Sequence, residues 1–94
     1  MPRRQRGRWM NKATDPVLEL LDEIDMAVTA GAIEYELQQS NKDAPGHSTI
    51  YRALNELEDR DYINRPRGEG TNLIEITKRG REYLRGQRDA SEDG

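Results

Sequence analysis

The chain contains no cysteine, which removes disulfide frameworks, thiolate nucleophiles and cysteine-ligated zinc together. That is compatible with a reducing cytosol. Its single histidine, His47, has no second His and no Cys with which to complete a metal site. No apolar run approaches the roughly 20 residues of a membrane span, and the arginine-rich start is not followed by the apolar segment of a secretory leader. A soluble cytoplasmic protein is the expectation, with no membrane partner. Gly68 and Gly70 belong to neither a Walker loop nor a dinucleotide fingerprint. Carboxylates abound but lack a partner His, Cys or phosphate loop, so no catalysis is expected, no cofactor is implied and no small-molecule effector is evident.

What is present is segregated. Apolar residues make up 33% and charged residues 35% of the chain, with a net charge of -3, a balance that would indicate disorder if the apolar residues were scattered. They fall instead into periodic stripes, and ninety-four residues suffice for one modest core. Residues 1–12 hold Arg3, Arg4, Arg6, Arg8 and Lys12 and no acid, whereas residues 15–61 hold twelve acids against Lys42, Arg52 and Arg60. A basic arm therefore precedes an acidic body. Two readings of the acids stand side by side: a surface for a basic partner, or a carboxylate-rich surface suited to high salt.

Residues 1–12, without apolar periodicity, read as a flexible basic arm, with Trp9 and Met10 available to anchor it on the core. A domain follows over 13–86, then a frayed tail over 87–94. Asp15-Pro16 marks a helix start, a cap acceptor followed by proline at the first helical position. Val17, Leu20, Leu21 and Ile24 place one stripe on that first helix. Met26 to Val28 close it. Thr29 caps a second helix, flanked by Val28 and Ile33 at the positions of a hydrophobic staple, and that helix fades at Ser40-Asn41. A polar loop through Pro45-Gly46 leads to a third helix over 46–61, with Ile50, Ala53, Leu54 and Leu57 on its buried face and Asp61 in the left-handed closing position. The period then changes. Tyr62 to Pro66 and Asn72 to Thr77 form a hairpin, the wing, across the glycine-rich tip 67–71, and Thr77 caps a last helix containing Tyr83 and Leu84.

Three helices, a two-stranded hairpin and a terminal helix are the element order of an α+β winged helix-turn-helix. The run Ser48-Thr49-Ile50-Tyr51-Arg52-Ala53-Leu54-Asn55-Glu56-Leu57-Glu58, then Tyr62-Ile63, then Ile76-Thr77-Lys78-Arg79-Gly80-Arg81-Glu82-Tyr83-Leu84, resembles winged-helix DNA-binding proteins. Over roughly residues 9–85, and with Trp9-Met10 and the acidic composition, it is most similar to the small phage-repressor-like transcription regulators of halophilic archaea. Two departures are visible: Asp61 stands where such proteins often have glycine, and the loop between the second and third helices is longer than the usual motif turn.

The resemblance implies a sequence-specific regulator bound to double-stranded DNA, helix 46–61 in the major groove and wing 63–76 on adjacent backbone or minor groove. An entering helix presents its N-terminal turns, which here carry His47, Ser48, Thr49, Tyr51 and Arg52. Arg52 can contact a guanine edge with two parallel hydrogen bonds, Asn55 can pair with adenine, and Ser48 or Thr49 can bond phosphate. Tyr51 has two roles open to it, a DNA contact or packing against the preceding loop. Arg65 and Arg67 flank the wing tip. The arm arginines Arg3, Arg4, Arg6 and Arg8 either enter a minor groove or form a solubilising tail. A homodimer is expected, since one small domain reads few base pairs. The alternative from another class is a protein-interaction module whose acidic face docks a basic partner.

Overall fold

The computed structural model describes residues 4–40, 43–66 and 72–93. Its elements are α1 (Thr14–Ile24), β1 (Val28–Thr29), α2 (Ala30–Ser40), α3 (His47–Asp59), β2 (Ile63–Asn64), β3 (Leu73–Ile76) and α4 (Lys78–Leu84), closed by a single 3-10 turn, Ala90–Glu92. The three strands form one antiparallel sheet in the order β1-β3-β2. Val28 pairs with Ile74 and Thr29 with Leu73 on one side of β3; Ile63 pairs with Ile76 and Asn64 with Glu75 on the other. The wing hairpin of the sequence reading is thus β2 and β3, and its tip, with Arg67, lies outside the described residues.

Helix α1 begins at Thr14, two residues earlier than Asp15-Pro16 suggests, with Ala13 at its N-cap. Asn11 holds the turn before the helix: its side-chain oxygen accepts from the Ala13 amide at 2.8 Å, and its backbone amide donates to Thr14 Oγ1 at 3.0 Å. Asp15 is freed for other partners. The buried stripe is accordingly Thr14, Val17, Leu18 and Leu21, while Leu20 only packs against the edge of the core. The helix closes on Asp25 at φ 55°, whose amide donates to the Leu21 carbonyl, so Met26 to Val28 do not extend it. Val28 and Thr29 instead form the short strand β1. Thr29 also caps α2, accepting from the Ala32 amide at 3.1 Å. Ile50, Ala53, Leu54 and Leu57 are the buried face of α3, and Asp61 adopts the left-handed turn at φ 63°. Thr77 caps α4 by accepting from the Gly80 amide at 3.2 Å. The core sits where α1, α3 and α4 close over the sheet, with Tyr62 and Tyr83 its largest fully buried side chains.

The two ends that read as a free arm and a frayed tail are packed on each other. Gln5 forms a parallel bridge with Asp89, and the Ala90 amide donates to the Gln5 carbonyl at 2.8 Å. The Trp9 indole donates to the Ala90 carbonyl at 2.9 Å. Its ring meets Tyr62 edge-on, centroids 5.4 Å apart, and the Arg60 guanidinium lies 4.4 Å above it. Gly7 permits this fold-back, because a Cβ there would fall 2.4 Å from the indole nitrogen and 2.8 Å from the Ala90 carbonyl oxygen. On the tail, Asp93 accepts from the Tyr62 hydroxyl and pairs with Arg88 at 2.9 Å. Apolar burial of Trp9 and Ala90 and paired backbone groups give these ends a reason to stay down.

Candidate nucleic-acid interface

Helix α3 has three sides with different fates. Ile50, Ala53, Leu54 and Leu57 face the core. Directly opposite, Ser48, Arg52 and Asn55 recur at i, i+4 and i+7, and all three are exposed. Arg52 has no ion-pair or hydrogen-bond partner among the described residues. A guanidinium and an amide are therefore free side by side, one helical turn apart.

The flanks of α3 are engaged. Toward α2, the His47 ring nitrogen Nδ1 lies 2.9 and 3.0 Å from the two Glu34 carboxylate oxygens, and the ring stacks on Tyr51, centroids 4.3 Å apart and planes tilted by 30°. Half-buried Tyr51 then lines a groove of about 450 Å³ with Thr29, Ala30, Gly31, Arg65 and Asn72. Arg65 reaches back across it to Glu58 at 3.2 Å. On the other flank, the Thr49 carbonyl accepts from the Asn11 side chain at 3.0 Å, and Glu56 pairs with Arg60. Glu56 and Glu58 are thus each paired with an arginine, and Glu34 is hydrogen-bonded to the His47 ring.

The arm arginines point elsewhere. Arg4 donates to the Leu84 carbonyl at 3.1 Å and lies 3.6 Å from Asp15 and 3.5 Å from Glu19. Arg6 donates to the Asn11 carbonyl at 2.8 Å and lies 3.8 Å from Asp15. Both are paired with acids of α1. Arg8 is exposed, and Arg3 lies outside the described residues. A second depression, about 540 Å³, lies between α1 and α4 among Asp22, Asp25, Lys78, Arg81 and Arg85. Arg81 already pairs there with both aspartates.

Displaced protonation equilibria occur at the buried tyrosines and at the Arg88–Asp93 pair. Burial pushes the Tyr62 and Tyr83 phenols upward, helped by Asp93 and Asp15, which accept from their hydroxyls. The hydrogen bond from Arg88 holds Asp93 below the ordinary carboxylate range, and Asp93 in turn raises Arg88. No group of three or more potential metal ligands occurs among the described residues, nor any helix long and apolar enough to cross a membrane.

The sequence brings His47, Ser48, Tyr51, Arg52 and Asn55 into view, but not Glu34, Asn11 or Glu58. These partners come from elements separated by loops, and no local period announces them.

Among curated proteins, none matches the chain. Among solved structures, the PhiH1 repressor-like protein from Haloarcula marismortui, a halophilic archaeon, is similar over 98% of this chain and 96% of its own, with 26% identity and a TM-score of 0.76. Residues 16–84, from the first turn of α1 to the end of α4, match the family model of the ribonuclease R winged-helix domain. With α3 presented beside a β2-β3 wing, and that match spanning most of its length, the chain belongs to this winged-helix family.

Proposed function

We propose that the chain is a sequence-specific DNA-binding transcriptional regulator, with α3 in the major groove and the wing on adjacent backbone or minor groove. The observation that carries this reading is the exposed stripe Ser48, Arg52 and Asn55, opposite the core, with Arg52 unpaired among the described residues. An arginine and an asparagine so placed suit the two-acceptor edge of guanine and the donor-acceptor edge of adenine. The likeness to a repressor-like protein, at 26% identity over nearly the whole of both chains, supports the same reading.

DNA contacts are drawn from the outward side of α3 rather than from Arg4 and Arg6, which acids of α1 already hold. The chain acts as a homodimer, because paired half-sites supply the base pairs that one small domain cannot reach. Its role is binding, without catalysis. The acidic body fits a salty setting. Counterion release contributes little to affinity in molar salt, and exposed carboxylates are screened within about 3 Å there. Base-edge hydrogen bonds and dimerisation then carry the binding.

Selection from random duplexes at high salt tests this. The full chain enriches a two-fold symmetric sequence, and Arg52→Ala loses that enrichment. Recovery of no sequence, together with capture of a basic protein at the same salt, would instead support the interaction module.

A further inference from the structure

The pair formed by His47 and Glu34 joins two helices across the loop between them, and its chemistry is asymmetric. A carboxylate only accepts hydrogen bonds, so the Nδ1 nitrogen of His47, 2.9 and 3.0 Å from the two Glu34 oxygens, must carry the hydrogen. In a neutral imidazole this leaves Nε2 with a bare lone pair, because the bond made by one ring nitrogen fixes the state of the other. The side chain of Glu34 is 21% exposed and that of His47 65% exposed. The carboxylate is thus the sheltered partner and the ring the presented one. Stacking on Tyr51 at 4.3 Å holds the ring plane, and His47 is the first residue of α3, adjacent to the outward stripe that starts at Ser48.

We propose that Glu34 is a positioning residue that makes His47 a hydrogen-bond acceptor at the front of the reading helix, selecting an exocyclic base amine of cytosine or adenine. This deepens the reading of α3 as the DNA-facing helix and rests on it. When its ring is neutral, His47 held this way has no ring hydrogen left to donate to phosphate, which only accepts, whereas a base amine in the major groove donates to its Nε2. Glu34 itself touches no DNA in this arrangement. It acts through the ring, and through the ring it also fixes the start of α3 relative to α2.

The chain has one histidine, so a long-range nitrogen–proton correlation spectrum of the full protein carries one imidazole pattern, free of overlap. At a pH where the nitrogen shifts show the ring neutral, the wild type is expected to show the hydrogen on Nδ1. Glu34→Ala is expected to move it toward Nε2. At that same pH, on the duplex selected by the wild type, Glu34→Ala and His47→Ala each weaken binding about tenfold, and the double variant is no weaker than either. Replacing the contacted amine-bearing base pair costs the wild type about tenfold and Glu34→Ala almost nothing. An unchanged imidazole pattern in Glu34→Ala overturns the proposal. So does a changed pattern with unaltered binding, which leaves the DNA reading standing. If the wild type enriches no duplex, both fall, and that failure is seen before any variant is made. Melting curves identify a variant that has lost its fold, and His47→Ala, altered at an exposed side chain, then supplies the comparison.

Discussion

Gly80 sits inside α4, where helix propensity and packing oppose each other. In a helix interior alanine is favoured over glycine by about 1 kcal/mol, so by local preference Gly80→Ala should stabilise. A Cβ at this position, however, would lie 2.5 Å from the Tyr62 carbonyl oxygen and 2.8 Å from Ile76 Cγ1. The first is roughly 0.9 Å inside the 3.4 Å at which ordinary contact begins. That carbonyl cannot swing aside, since it accepts from the Thr77 amide at 3.0 Å where β3 turns into α4. Relief requires α4 to move off the sheet, taking the buried Tyr83 ring with it. Overpacking of this kind costs about 1–3 kcal/mol and occasionally more. Against backbone the upper end applies, leaving a net loss of about 2 kcal/mol after the propensity gain. For a domain of this size that is a fall in melting temperature of roughly 8–16 °C.

Gly31 is the control, an exposed position in the first turn of α2 with nothing within 4 Å of its would-be Cβ. Gly31→Ala should therefore raise stability by up to about 1 kcal/mol. Thermal melts of both variants followed by far-ultraviolet circular dichroism make the comparison. If Gly80→Ala melts at or above the wild type, the close approach of α4 to Tyr62 is wrong.

Two further perturbations address the clasp of the chain ends. Trp9→Ala removes the indole bond to Ala90, the edge contact with Tyr62 and the partner beneath Arg60; it should cost about 3 kcal/mol in urea titrations and make the segment after Arg85 more open to limited proteolysis. A stable Trp9→Ala protein with an equally protected tail would contradict the packing. Asp93 has its carboxyl held below the ordinary aspartate range by Arg88 and by the Tyr62 hydroxyl, so the stability it contributes is present above about pH 4 and is lost as pH falls through its folded value. Asp93→Asn should melt lower than the wild type near neutrality, with the gap closing in acid. A gap independent of pH would place the contribution elsewhere.

Much of this fold is legible residue by residue. The buried face of α3 follows from Ile50, Ala53, Leu54 and Leu57, because apolar side chains at helical spacing have one place to go. Thr29, Thr77 and Asp61 announce element ends through side-chain chemistry that acts within three residues. Failures begin where the deciding partner is distant. Asp15 looks like a cap, but the Tyr83 hydroxyl donates to it at 2.8 Å, the helix starts at Thr14 behind Ala13, and its buried stripe is Thr14, Val17, Leu18 and Leu21. Strand β1 has two residues, too few to show alternation. The polar ends look free because their partners are each other, more than eighty positions apart. On the outward side of α3, Arg52 and Asn55 are exposed, as their spacing opposite the apolar stripe implies. Glu34 and Glu58, which restrain His47 and Arg65, become visible only in three dimensions.

The most direct test is the affinity of the full chain and of Arg52→Ala for one selected duplex in molar salt, each measured also against a duplex with the contacted guanine pair replaced. The wild type should bind the selected duplex and lose about tenfold or more on either change, and Arg52→Ala should no longer tell the two duplexes apart. Equal affinity of wild type and Arg52→Ala, with the guanine pair still discriminated, would contradict the placement of α3 in the groove.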